Sequence, residues 1–183
     1  YSEESILLIN GKQYENAKKK LEEDLAKFPN SLGSLKALER LYSETDRWPS
    51  MEDVYKKILG LEPENKYIKF ELGEAYIRQN KLKEAYKIFI ELEKQSYVNC
   101  HVYNEMGLSS LKLNNHTRAQ SEFEKGLSLY PDNSYLILNL GFAFLYQNKY
   151  IEAEEYFRKA ILLSDHLSDA YAGLGFMYFY LGK

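Results

Sequence analysis

The chain has 183 residues, is 45% hydrophobic and 28% charged, and carries a net charge of −3 with a pI of about 5.7. That balance fits a folded, water-soluble protein and argues against a bulk nucleic-acid or membrane-surface binder, whose affinity is built on clustered Lys and Arg. No apolar run approaches the roughly 20 residues a membrane helix needs, and the single Cys100 excludes an intrachain disulfide. A lone thiol favours the cytoplasm, with the periplasm left open.

In chain order, apolar residues fall at helical spacing twice in every 34 residues, with a short polar break between the two runs. The first pair is expected at 1–10 and 13–28; its run Lys18-Lys19-Lys20 is followed by Glu22, Glu23 and Asp24 and reads as a solvated helix face. The second is expected at 32–45 and 49–61, turning at Asp46-Arg47, with Pro49 near the first turn, where a missing amide donor costs little. The third spans 65–79 and 82–95 around Asn80-Lys81, and the fourth 99–113 and 116–129 around Asn114-Asn115. There, Thr117 with Gln120 reads as a capping box. The fifth spans 133–147 and 150–163 around Asn148-Lys149, and a last helix, 167–181, ends at Gly182-Lys183 with no partner. Asn, Asp and Gly suit these breaks because they tolerate left-handed backbone. Pro29, Pro63 and Pro131 each end the second helix of a pair.

The pairs share one ruler. Gly73, Gly107, Gly141 and Gly175 recur at a step of 34 residues, and Ala17, Ala85, Ala119 and Ala153 keep the same phase. A fixed period of this size means stacked supersecondary units rather than one closed globule. Each phased glycine sits inside a helix, where it costs about 1 kcal/mol relative to alanine. Close approach of the paired helix is the compensation expected. Phe89, Phe123 and Phe157, one turn after the alanines, supply the large residues to set against the small.

Tyr171, Leu174, Gly175 and Tyr178, together with Ile137, Leu140, Gly141, Phe144, Ala153, Phe157 and Ala160, resemble the tetratricopeptide repeat, whose pattern is W-x2-L-G-x2-Y, then A-x3-F, then P. The resemblance implies an all-α fold, a right-handed superhelical solenoid of antiparallel helix pairs with about five repeats plus one unpaired helix. The whole chain is then a single array, with units at about 1–31, 32–65, 66–99, 100–133, 134–167 and a partial 168–183. The opening units depart from the pattern: Glu4-Ser5 stands for Leu-Gly in the first, with Asp24 at a usual alanine, and Glu39 and Met51 replace glycine and alanine in the second. The last helix carries Phe176, Met177, Phe179 and Tyr180, more apolar than a terminal cap should be, so further repeats are expected beyond Lys183. Self-association through that helix is the alternative.

The family's layout implies a concave groove, lined by the first helix of each hairpin, that holds a peptide or helix of a partner protein. The groove residues carried over are Tyr67, Phe70, Asn104, Leu108, Leu111, Tyr135, Leu138, Asn139, Phe142, Tyr146, Phe176 and Tyr180, with Lys36 and Arg40 at the charged early end. Residues 100–183 hold 7 Lys+Arg and 9 Asp+Glu against 17 and 18 in residues 1–99, so the groove turns apolar toward its C-terminal half. Asn104 and Asn139 are expected to hydrogen-bond a ligand backbone. The subclass that grips acidic chaperone tails is argued against, because the sixth unit has Asp169 and Gly173 where paired cations should stand.

Nothing points to catalysis, a metal or a cofactor. His101, His116 and His166 have no carboxylate or cysteine at ligand spacing and read as surface residues, and no glycine-rich phosphate loop follows a strand. Cys100 opens a helix without a nearby histidine, so a nucleophile is not expected. Asn115-His116-Thr117 matches a glycosylation acceptor pattern but reads more simply as turn and cap. The expectation is a non-enzymatic interaction scaffold; the alternative is the recognition arm of a larger enzyme or of a secretion or assembly factor.

Overall fold

A computed structural model describes residues 3–97, 99–164 and 168–182, with the side chain of Tyr180 outside that description. Among the described residues there are eleven helices and no strand. They form two compact units, residues 1–88 and 89–183, divided within α6 (Leu82–Lys94).

The first unit contains α1 (Glu3–Asn10), α2 (Tyr14–Lys27), α3 (Leu32–Glu44), α4 (Trp48–Leu61) and α5 (Lys66–Arg78), each packed on the next in sequence. Its core joins Ile9, Ala17, Leu21, Leu35, Leu41, Tyr55 and Ile58, all at or below 1% exposure. The second contains α7 (Cys100–Lys112), α8 (His116–Leu129), α9 (Ser134–Leu145), α10 (Tyr150–Leu163) and α11 (Ser168–Tyr180). Here α7 packs on α8, α8 on α9, α9 on α10 and α10 on α11, while α9 also touches α7 and α11. The first helices of successive hairpins thus lie side by side.

Local chemistry explains where these helices start and stop. The residues with positive φ include Lys12, Asp46, Asn80, Asn114, Asn148 and Gly182, one at every 34-residue step, each between the two helices of a hairpin or just past the last helix. The side chains of Ser31, Asn65, Asn99 and Asn133, in the same phase, each accept a backbone N–H three residues on and cap α3, α5, α7 and α9. Each such cap contributes about 1 kcal/mol. Pro49 sits in the first turn of α4, and Pro63 and Pro131 lie just beyond the ends of α4 and α8.

The capping box expected at Thr117 is not formed. Asn115 caps α8, its side chain accepting from the Arg118 N–H at 3.2 Å. Gln120 turns away, accepting from Gln147 Nε2 (2.9 Å) and donating to Glu124 (2.8 Å). The same Gln147 nitrogen donates to the Ala143 carbonyl (3.0 Å) and lies 3.4 Å from that of His116. Gln79, two repeats earlier, reaches the matching groups, Glu52 (3.1 Å), Ala75 (3.2 Å) and the Trp48 carbonyl (3.5 Å).

The small-against-large expectation holds at Gly107 and Gly141. A Cβ on Gly107 would lie 2.2 Å from the Phe123 ring, and one on Gly141 would lie 2.8 Å from Phe157. At such distances any added side chain would have to displace the ring, so these glycines let the helices close on fully buried rings, each worth about 2 kcal/mol of burial. Gly175 differs, since a Cβ there would meet nothing within 4 Å.

Candidate functional site

The second unit carries two adjoining pockets on α7, α9 and α11. One, of about 500 Å³, is lined by Leu108, Leu111 and Lys112 of α7, by Asn139, Phe142 and Tyr146, by Asn114 of the turn after α7 and by His116, the first residue of α8. The other, of about 440 Å³, is lined by Phe142, Leu145, Tyr146, Asn148, Tyr150 and Phe176. Phe142 and Tyr146 are common to both and form the ridge between them.

One turn of α9 separates these residues, so their rings face the same side, 6.3 Å apart and inclined by 27°. Phe142 is held from below by Phe157 of α10, edge to face at 5.0 Å and 70°. Tyr146, 54% exposed, stacks on His116 at 5.3 Å and 30°. Neighbouring aromatics therefore fix one ridge ring and leave the other half in water. Tyr150 donates its hydroxyl to Asn148 at 3.0 Å, setting one polar rim; Lys112, Asn114 and Asn139 set another.

Of the expected groove residues, Leu108, Leu111, Asn139, Phe142, Tyr146 and Phe176 meet on these pockets. Tyr135 is exposed but lines neither, and Leu138, at 4% exposure, is packed into the unit and offers no surface. The two asparagines are spoken for in part: Asn139 Nδ2 donates to Asn104 Oδ1 at 2.7 Å, and Asn104 Nδ2 donates to Glu105 at 2.9 Å. They brace α9 against α7. Tyr67, exposed, and Phe70, half-buried, belong to α5 of the first unit. The Tyr180 side chain, like His166, lies outside what is described.

Sequence reasoning missed Asn114 and Asn148, which it had assigned to turns, and His116 and Tyr150, which it had placed at the starts of the helices that follow. The signal was present in the 34-residue phase: Asn114 and Asn148 are successive left-handed turn residues, so what flanks each of them returns to the same edge of the stack. Among the described residues, no group of three or more His, Cys, Asp or Glu is placed to hold a metal ion, and no helix is long and apolar enough to cross a membrane.

Helical hairpins in unbroken 34-residue phase, glycine closed on phenylalanine and first helices side by side define an α-helical repeat protein. Residues 101–133 and 135–166 match the family model for the tetratricopeptide repeat. Over those residues the chain carries tetratricopeptide repeats, and its all-α fold is that of the family. A tetratricopeptide repeat protein from Parabacteroides merdae superposes with a TM-score of 0.84 at 19% identity, over 99% of this chain and 72% of its own. YrrB, described as a TPR protein with an unusual peptide-binding site, gives 0.78 at 17% identity over 93% and 88%, and MamA gives 0.77 at 20% over 88% of both chains. No curated protein sequence matches the chain.

Proposed function

We infer that this chain is a non-catalytic interaction module whose second unit seats an apolar or amphipathic segment of a partner protein across the Phe142–Tyr146 ridge. Tetratricopeptide repeats are, in general, a protein-interaction fold. The observation that carries the finer reading is the pair of pockets sharing that ridge, because adjoining apolar hollows either side of a half-exposed aromatic suit two side chains spaced along one segment. Tyr146 and Phe176, 54% and 61% exposed, are the anchors of a kind that dominates interfaces. Lys112, Asn114 and Asn139 at the edge supply hydrogen bonds to its polar groups.

The experiment is selection of binders from a displayed random-peptide library with the intact chain, followed by affinity measurement on Phe142→Asp and Tyr146→Asp with helicity checked by circular dichroism. Enriched peptides should carry spaced aromatic or aliphatic residues and weaken by about tenfold or more on either variant. Undiminished binding by both folded variants would reject the groove.

A further inference from the structure

One face of α11 packs on α9 and α10 through Ala170, Gly173 and Met177, all buried. On the opposite face, at about 100° of turn per residue, Tyr171, Gly175 and Phe179 fall one above another. Tyr171 is 53% and Phe179 79% exposed, and a Cβ on Gly175 would meet nothing within 4 Å. One repeat earlier the matching face of α9 is closed. Ile137, in phase with Tyr171, is wholly buried, and Gly141, in phase with Gly175, closes on Phe157 of α10. Gly175 therefore carries the cost of a glycine inside a helix without, among the described residues, the packing that offsets it at Gly141.

The stripe reads large, small, large, and that order is its own complement. In a two-fold pair of antiparallel α11 helices whose axis passes at Gly175, the two glycines face each other and let the backbones approach, while Tyr171 of each copy meets Phe179 of the other. Two aromatic pairs then flank the crossing. Charge does not oppose it: the charged residue of α11 is Asp169, in the first turn and about 120° round the helix from Gly175. The area is of the right order. At about 200 Å² for a whole ring, Tyr171 and Phe179 present about 250 Å² per copy and about 500 Å² from two, half of the roughly 1,000 Å² a specific interface needs. Ala172 and Phe176, also exposed, extend the patch along one flank.

We propose that this face of α11 is a self-association surface, and that its occupant is α11 of a second copy of the chain in an isologous, concentration-dependent dimer. The residues beside the glycine favour that occupant over a further hairpin helix. Where α9 sets Ile137 and Leu145 either side of Gly141, α11 sets a ring at both positions, and rings are the anchors of interfaces between proteins. The surface does not rest on the Phe142–Tyr146 groove. Phe176, which lines that groove, lies about 100° round α11 from Gly175, so the two can fail separately.

Sedimentation velocity of the intact chain over a concentration series is the test, with Gly175→Glu and Phe142→Asp alongside. The unmodified chain should pass from monomer to dimer in the micromolar range and stop there. Gly175→Glu sets two like charges across the axis and should weaken association about tenfold or more. Its helicity should be kept, because within one copy the new side chain enters open space. Phe142→Asp, in the groove, should associate as the unmodified chain does. Independently, Gly175→Cys in a Cys100→Ser background should oxidise to a disulfide-linked dimer. A chain that stays monomeric, association unaltered in Gly175→Glu, or assembly that runs on past the dimer overturns the proposal. So does association lost in Phe142→Asp alone, which would seat the second copy in the groove. A peptide of the α10 sequence, residues 150–163, that saturably shifts the Gly175 amide by NMR would make the face a seat for a hairpin helix, and overturns it too.

Discussion

A Cβ placed on Gly141 would sit 2.8 Å from the ring of Phe157, a side chain that is itself wholly buried. One repeat earlier the same relationship is tighter, 2.2 Å between Gly107 and Phe123. One repeat later it is missing, because nothing lies within 4 Å of Gly175.

Gly107→Ala and Gly141→Ala should each cost about 1–3 kcal/mol, because the methyl displaces a phenyl ring that has no free space to move into. Gly175→Ala should instead be neutral or stabilising by up to about 1 kcal/mol, the helix-propensity difference alone. Urea denaturation of the three variants checks both signs; a loss at Gly175 equal to that at Gly107 would contradict the packing described.

The left-handed turn positions divide by chemistry. Asn80, Asn114 and Asn148 tolerate φ near 60°, whereas Lys12, at φ 57°, has no side chain suited to it. Lys12→Gly should stabilise the chain by about 0.5–1 kcal/mol, and Asn114→Val should destabilise it by about 1 kcal/mol or more. Thermal unfolding midpoints, which should move in opposite directions, decide it.

Gln147 ties the α9 end to α8 through Gln120 and lies beside the His116 carbonyl. Its replacement by leucine leaves half-buried acceptors without donors, a loss of about 1–2 kcal/mol. The His116–Tyr146 stack should loosen with it. Stability by denaturant titration, with ring-current shifts of Tyr146, reads both effects, and an unchanged stack would separate the ridge from this clamp.

Glu52 is a buried carboxylate of the first unit. Burial by itself would raise its pKa, but hydrogen bonds from Lys56 (2.6 Å), Lys81 and Gln79 hold it down to about 2. A depressed carboxyl contributes stability that is complete above its unfolded value, 4.5, and is lost as the pH falls through about 2. The lysines are 52% and 42% exposed and screened by water, so Glu52→Gln should cost only about 1 kcal/mol at neutral pH. The gap between wild type and variant should shrink between pH 4.5 and about 2. A gap that is constant with pH would show that the pairing contributes nothing.

What the chain's own residues determined is the repeating scaffold. Helix limits came within about two residues of those observed at nearly every end, because caps, left-handed turns and proline stops act within a few residues and recur with the period. Even the departures were legible, since Ser5 and Glu39 interrupt the glycine phase visibly. What only the tertiary structure decided is how each side chain is used once helices meet. Leu138 and Phe142 are both apolar and one helical turn apart, yet one is packed away and the other forms a ridge. Asn104 and Asn139 have the donors and acceptors of a ligand site, yet they bind each other in part across α7 and α9. Tyr55 looks like an ordinary aromatic of the motif until α3 and α5 bring Glu39 and Glu71 against it. Turns and caps are settled by neighbours in sequence, whereas exposure and pairing depend on residues about a full repeat away, brought close only when the hairpins stack.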